Sequence, residues 1–542
     1  MPEERSASSR LAVLLAMAMF VLVVDTSLMN VSIAAVVRDL DATVSGVQSA
    51  IALEALVSAA FILIGSKVGD LIGRKRAYVL GLIGYATGGL AMALAQSLTA
   101  VIVFWAIVGG LGASLLLPAM QSLIHSNFEG AAQKKAYATV GAAAAIAAAV
   151  GPLLGGVITT YLSWRVAFLL EVVVIVIVLS NVKLLRDAPY TGPRRMDVVG
   201  AVLSAVGMGG IVLSVLIWQE GGEYVGAVFA VGAVALAALV YSLRQRKRQG
   251  KATLIDPGLF RSKVFRLGIS QQTLQQVALG GTMIALPIYL QMVFEYNALE
   301  AGLSLAPLTL SMFGMAILAA RRAGTRRPSN LIRVGFGLFT TGIVVLIPIV
   351  PRADSGWYLV LPLVLAGLGL GLLVSQLNNY TLAPISEDRV SEAAGVNSAG
   401  GSFGLSLGLA FGGAILLAAL AIVFTQMADD STVLRPAEKE RIAQVLEEDA
   451  EVMTNTGLEE LLADQPPATR DEVIRINTDA RPLALQVSLL VPLLAGLIGL
   501  FNSFRMVRVR DAGSSGTVSV SKTVMGVSGH RSKGARGSHA PQ

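Results

Sequence analysis

The sequence predicts an all-α membrane protein with about fourteen spanning helices. Three observations carry this. Of the 542 residues, 54% are hydrophobic and 14% charged, with a mean hydropathy of +0.69; soluble domains carry roughly 25% charged residues, so a soluble fold would have too much apolar surface to hide. The apolar residues come in blocks of about 20, the length that crosses a hydrocarbon core, without the alternation of barrel strands. Lys and Arg concentrate in every second loop, as the positive-inside rule requires of a polytopic chain.

The blocks fall near 11–36, 46–66, 77–96, 99–122, 137–160, 165–185, 197–218, 224–243, 266–293, 299–320, 331–350, 357–382, 393–425 and 482–504. The first holds Asp25 and is followed by no small-residue cleavage site, so it reads as a retained helix rather than a signal peptide. The basic loops carry Arg74-Lys75-Arg76, Lys134-Lys135, Arg186 with Arg194-Arg195, Arg244 with Arg246 to Arg248, and Arg321-Arg322 with Arg326-Arg327. The alternate loops, Ser97-Leu98, Glu220 to Glu223 and Glu295 to Glu300, are poor in cations. The basic set is therefore expected in the cytoplasm, with both termini. Residues 426–481, rich in Glu and Asp, read as an acidic extracytoplasmic loop, partly helical. The tail at 511–542 reads as disordered.

Several activities are excluded or unsupported. There is no cysteine, so there is no disulfide, thiol catalysis or thiolate metal site. With three histidines, no metal centre is expected. No Gly-x4-Gly-Lys-Ser/Thr loop and no catalytic triad pattern occur, so neither ATP hydrolysis nor another enzyme activity is expected, and no cofactor. The net charge of +7 sits in short interhelical loops, where it sets topology rather than binding nucleic acid.

Two motifs stand out. Blocks two and three are joined by Gly65-Ser66-Lys67-Val68-Gly69-Asp70-Leu71-Ile72-Gly73-Arg74-Lys75-Arg76. Gly73 permits a tight turn, and Asp70 can accept hydrogen bonds or pair with a basic residue. In block five, Gly151-Pro152-Leu153-Leu154-Gly155-Gly156 follows an Ala-rich run from Ala142 to Ala149. Small residues let helices approach closely, and Pro bends them.

With these motifs the chain resembles a major facilitator superfamily transporter of the fourteen-helix drug:proton antiporter group. Asp70 to Arg76 match that superfamily's loop between helices two and three, and Gly151 to Gly156 match the antiporter motif of helix five. Asp25-Thr26 and Asn30 match the first-helix signature; Ser163-Trp164-Arg165 with Phe168, Pro287 to Gln291 and Ala301-Gly302 resemble later junctions. The resemblance implies two six-helix bundles with two inserted helices: an N-bundle over 11–196 after a cytoplasmic 1–10, an inserted pair over 197–243, a linker over 244–265, and a C-bundle over 266–510. It implies alternating access around a midplane cavity, in a monomer of the bacterial plasma membrane. There are departures. Ser66 stands where the loop motif usually has Gly. Ala106 and Gly401 stand where the group often has Arg in helices four and thirteen, and Glu54 and Glu171 where it often has Tyr and Asn.

Asp25, Glu54 and Glu171 are acids within predicted spans. A central charge costs about 2.5–3.5 kcal/mol even on insertion scales, so such residues usually face a cavity and carry function. They are the candidate proton or cation-coupling sites. The alternative for each is a structural acid bonded to neighbours or reached from the boundary. Without the usual arginines, a lipophilic cation would pair naturally with them. Asn30, Gln121, Gln272, Gln275, Gln276 and Gln376 are candidates to line a substrate cavity; the alternative is interhelical hydrogen bonding. The expected function is proton-driven export of amphipathic or cationic drugs. Export of a lipid or self-made metabolite, and a receptor that transports nothing, are the rivals.

Overall fold

The computed structural model describes residues 2–187, 196–219, 221–321, 327–386, 389–435, 439, 458–459, 462–463 and 465–509. Arg194, Arg195, Glu220, Arg322, Arg326, the acidic stretch from Glu447 to Glu451 and the tail expected to be disordered lie outside them.

Among the described residues every regular element is a helix. The helices are α1 Pro2–Leu40, α2 Val44–Ile72, α3 Arg74–Leu94, α4 Leu98–Asn127, α5 Gly130–Tyr161, α6 Trp164–Ser180, α7 Val198–Gln219, α8 Val225–Arg248, α9 Lys263–Val293, α10 Ala298–Arg321, α11 Pro328–Ile349, α12 Val360–Leu382, α13 Val390–Asp430 and α14 Pro467–Arg508. Among the described residues 13 helical segments are long and apolar enough to cross a membrane. The remaining helix, α6, has 17 residues and is apolar apart from Arg165, Glu171 and its polar last residue. The expectation of about fourteen spans is met.

Sequence punctuation sets the helix ends. Thr43 caps α2 by accepting from the Gly46 N–H, and Ser163 caps α6 by accepting from the Arg165 N–H. Gly73 breaks α2 from α3 at φ +102°, a conformation that side-chain-bearing residues rarely adopt. The final helices exceed their apolar blocks. α13 continues to Asp430 and α14 starts at Pro467, so the polar segment expected over 426–481 is helical at both ends. There Phe424, Ala428, Val473 and Ile476 form a small apolar cluster, which pairs the extensions beyond the spans.

α1–α6 form one bundle and α9–α14 the other, with α7 and α8 inserted between them in sequence. α7 packs against both α2 and α13. On one face of the molecule, called here the basic face, lie Arg74 to Arg76 and the α8–α9 linker; the opposite face is the far face. Two seams join the bundles. Along α2–α13, Ser406 Oγ donates to the Ala52 carbonyl at 2.8 Å, and Ile62 and Leu63 share an apolar cluster with Val396 and Ala399 near the basic face. Along α5–α10, Thr309 Oγ1 donates to the Ala149 carbonyl at 3.0 Å, and the Leu299 N–H donates to Thr160 Oγ1 at 3.1 Å at the far face.

Candidate functional site

The three membrane acids converge in the core of the N-bundle. Asp25 on α1 is 1% exposed and accepts from Tyr85 Oη on α3 and from Trp105 Nε1 on α4, the latter at 3.0 Å to one oxygen and 3.2 Å to the other. Glu54 on α2 and Glu171 on α6 are also buried, and each interacts electrostatically with Asp25. Tyr85 interacts with all three. Glu171 Oε1 has no hydrogen-bond partner among the described residues. No Lys or Arg there pairs with any of the three. Arg165, the cation nearest in sequence to Glu171, turns instead to the far face, where it pairs with Asp39 and donates to the Ala95 carbonyl at 2.5 Å.

Uncharged donors thus do the work that an arginine would otherwise do. An indole N–H and a phenol O–H can satisfy a carboxylate or a carboxylic acid, whereas a guanidinium would strongly favour the ionised form. With Asp25 bonded this way and Glu54 and Glu171 buried beside it, the cluster can change its proton content without leaving a buried cation unpaired. Trp105 lies in the π-helical stretch Val101–Gly109 of α4, whose i→i+5 winding alters which side chains reach the bundle core. Trp105 and Phe168 meet edge to face at 6.3 Å, and Phe168 and Trp164 at 6.1 Å, so an aromatic row closes the site toward the far face.

The helix-five motif lies between bundles. Gly151 and Gly155 face Ser27 and Leu28 of α1. Gly156 faces α10 so closely that a Cβ there would lie 2.7 Å from the Ala298 carbonyl oxygen and 2.8 Å from Leu299 Cα. The Pro152 carbonyl meets Gly302. Ser32 on α1 and Thr159 on α5 bond at 2.7 Å. The loop motif instead braces the basic face of the N-bundle. Asp70 pairs with Arg74, and Arg74 Nη1 donates to the Ser66 carbonyl at 3.2 Å. The Lys75 N–H donates to Asp187 at 3.1 Å and Lys75 Nζ to the Leu185 carbonyl at 2.8 Å, holding the end of α6. Gly65 packs against the Ser114 backbone, while Arg76 is exposed.

The amide candidates divide. Gln272, Gln275 and Gln276 form a chain on α9, with bonds of 3.4 and 3.1 Å, and Gln272 and Gln276 face Gly401 of α13. Gln376 is buried and donates to Ser375 Oγ at 3.1 Å. Asn30 is buried with no partner for Oδ1 among the described residues. Gln121 is half-buried, and its backbone carbonyl accepts from Tyr137 at 3.2 Å. Gln271, their neighbour, turns away from the chain and donates to the Gly499 carbonyl of α14 at 2.8 Å.

A family model described as Major Facilitator Superfamily matches residues 15–409. The chain belongs to the major facilitator superfamily. It is a multi-pass membrane transporter and not an enzyme. This transporter is 25% identical over 416 residues to the probable actinorhodin transporter of Streptomyces coelicolor, covering 75% of this chain and 72% of the relative. It is 29% identical over 409 residues to a puromycin resistance protein of Streptomyces alboniger, covering 73% and 80%. A multidrug resistance protein of Mycobacterium tuberculosis is 25% identical over 81% of both chains. Among solved structures, a bacterial homologue of the human lysosomal transporter Spinster, in an inward-facing and unoccupied conformation, superimposes with a TM-score of 0.61 at 12% identity. It covers 93% of this chain and 98% of that one, a likeness of fold alone.

Tyr85 and Trp105 are the residues of the transporter's acid cluster that sequence reasoning missed. The available signal was weak: each is a polar-tipped aromatic in the middle of an apolar span, a place where such a residue usually finds a partner.

Proposed function

We propose that this transporter exports amphipathic or cationic drugs by proton antiport. Asp25 is the proton site, and Glu54 and Glu171 are its coupled neighbours. The observation that carries the reading is the buried Asp25, held by Tyr85 and Trp105 beside buried Glu54 and Glu171, with no Lys or Arg paired to any of the three acids among the described residues. A proton taken by one carboxylate lowers the repulsion within the cluster. An incoming lipophilic cation competes for the same negative charge, which is the linkage antiport needs. The amides of buried Gln275 and half-buried Gln272 and Gln276 on α9 supply adaptable hydrogen bonding on the opposite bundle. The names of the relatives, a probable actinorhodin transporter and two resistance proteins, support the drug class.

In this reading the bundles rock about their interface, and Gly151 to Gly156 form the surface that closes the far face. Asp70 and Arg74 steady the basic face during the change. That face lies in the cytoplasm of a bacterial cell, with both termini, and the chain works as a monomer. A second reading, export of a self-made secondary metabolite, draws support from the actinorhodin relative. The test uses acid-loaded proteoliposomes. Adding a lipophilic cation should drive proton release in the wild type, and Asp25→Asn should abolish it. Substrate transport with no proton movement would overturn the antiport reading and favour uncoupled export.

A further inference from the structure

A cavity of about 490 Å³ opens on the basic face between the first turns of α1 and the end of α6. It lies outside the acid cluster and away from both seams. Its lining is amphipathic. Arg10 and Lys183 provide two cations, and Ser180 and Asn181 add polar atoms. Val13 and Leu184 supply apolar wall. Both cations are exposed, and neither has an acidic partner among the described residues.

The apolar wall continues into the membrane. Leu170, Val173 and Ile177 of α6 are exposed and stand at helical spacing below Ser180 and Leu184, on one face of the helix. The rise from Leu170 to Asn181 is roughly 16 Å, about half the ~30 Å thickness of a hydrocarbon core. Two unneutralised cations therefore sit at the surface end of an aliphatic strip one leaflet deep. Water suits the cations but not the strip, and a hydrocarbon chain suits the strip but not the cations. A phospholipid with net negative charge matches both.

We propose that this cavity is a binding site for an anionic phospholipid of the leaflet at the basic face. The headgroup phosphate lies between Arg10 and Lys183, and an acyl chain lies along α6. Charge-assisted hydrogen bonds from a guanidinium and an ammonium would hold the phosphate. The inference rests on the membrane-spanning architecture and is independent of what the transporter carries. The lipid would link the ends of the two helices that carry Asp25 and Glu171.

The test is native mass spectrometry of the delipidated full chain titrated with phosphatidylglycerol or phosphatidylcholine. The wild type should retain phosphatidylglycerol in preference to phosphatidylcholine. Arg10→Gln with Lys183→Gln should weaken phosphatidylglycerol binding by about twenty-fivefold, roughly fivefold for each basic side chain. The charge-preserving pair Arg10→Lys with Lys183→Arg should retain it, as should Arg244→Gln with Arg248→Gln at the end of α8, which controls for general loss of charge. Undiminished phosphatidylglycerol binding by the neutralised pair would overturn the proposal. So would equal retention of the two lipids by the wild type, or inorganic phosphate binding as tightly as phosphatidylglycerol, which would make this a free-anion site.

Discussion

Along the α2–α13 seam, packing runs from one face of the molecule to the other. Gln48 meets Gly413 near the far face, Ser406 bonds Ala52 at mid-depth, and Ile62 and Leu63 pack with Val396 and Ala399 near the basic face. α7 covers this seam from outside, with Met208 against Ala59 and Ala60, and Gln219 Nε2 donating to the Ser45 carbonyl at 3.3 Å. Along α5–α10, the near approach stops at the Thr309–Ala149 bond. The α5 face that buries Gly156, Pro152 and Ala149 continues toward the basic face as Ala145, Ala142 and Ala138, of which the last two are exposed. On α10 the face of Gly302 and Thr309 continues as half-buried Phe313 and Ala316 and exposed Ala320. One seam is thus sealed and strapped, while the other is a wedge closed only at the far face. Motion therefore costs least at the wedge, which can change angle by exchanging a few small-residue contacts, while the strapped seam must move as a unit.

The largest effect is expected where the wedge is tightest. Gly156→Val would press a side chain into the backbone of Ala298 and Leu299. Overpacking of this kind costs about 1–3 kcal/mol, so the far face should open and transport should fall by roughly tenfold or more. Because the natural chain has no cysteine, one introduced pair, Thr160→Cys with Leu299→Cys, reports closure directly. The pair should cross-link readily alone and poorly with Gly156→Val.

Where the strap is anchored, an effect is expected on stability, with a smaller consequence for transport. Asp197, at the start of α7, is 1% exposed, pairs with Arg246 at 3.1 Å, and accepts from the Gly200 and Leu254 N–H groups at 2.9 and 3.1 Å. Asp197→Ala leaves those donors without their carboxylate and should cost about 1–3 kcal/mol, read as a lower thermal midpoint in detergent. Equal midpoints for variant and wild type would remove α7 from the list of structural restraints.

The smallest concerns the linker that joins the strap to α13. Asp256 pairs with Lys247 and, at 2.7 Å, with Arg389, and its N–H donates to Glu392 at 2.6 Å. Partial burial pushes the Asp256 carboxyl up, but the Lys247 and Gly258 hydrogen bonds and the Arg389 charge outweigh it and hold it below the usual value. A depressed folded-state value gives stability that is present above the unfolded value near 3.9 and lost as pH falls through the folded one. The group is largely solvated, so screening keeps the effect small. The difference in thermal midpoint between wild type and Asp256→Asn at pH 6 should therefore persist down to about pH 4 and shrink only as pH falls further, through the folded-state value.

Much of this architecture was legible because hydropathy and loop charge report what lipid tolerates. The acids and the small-residue motif were legible because their cost or their shape is unusual within a span. That the polar segment over 426–481 is partly helical was legible, but the start of α14 at Pro467 was not, since a helix continuing outside the membrane loses its apolar signal while keeping its backbone bonds. Nor were Trp105 and Tyr85, because a donor to a buried acid is defined by convergence of three helices and not by spacing along one. Gln271 and Gln272 are adjacent, yet one bonds α14 and the other faces α13, a difference set by a 100° turn of the helix.

Spin-label distances in proteoliposomes test whether protonation at Asp25 drives the proposed rocking of the bundles. One pair would span Thr160 and Leu299 at the far face, and the other Ala142 and Ala320 at the basic face. In the wild type, lowering pH should shift both distances in opposite directions, and a lipophilic cation should reverse the shift. In Asp25→Asn both distances should stay fixed across the same range. A wild type whose distances ignore pH and cation, or an Asp25→Asn variant that responds as fully as wild type, would contradict the account.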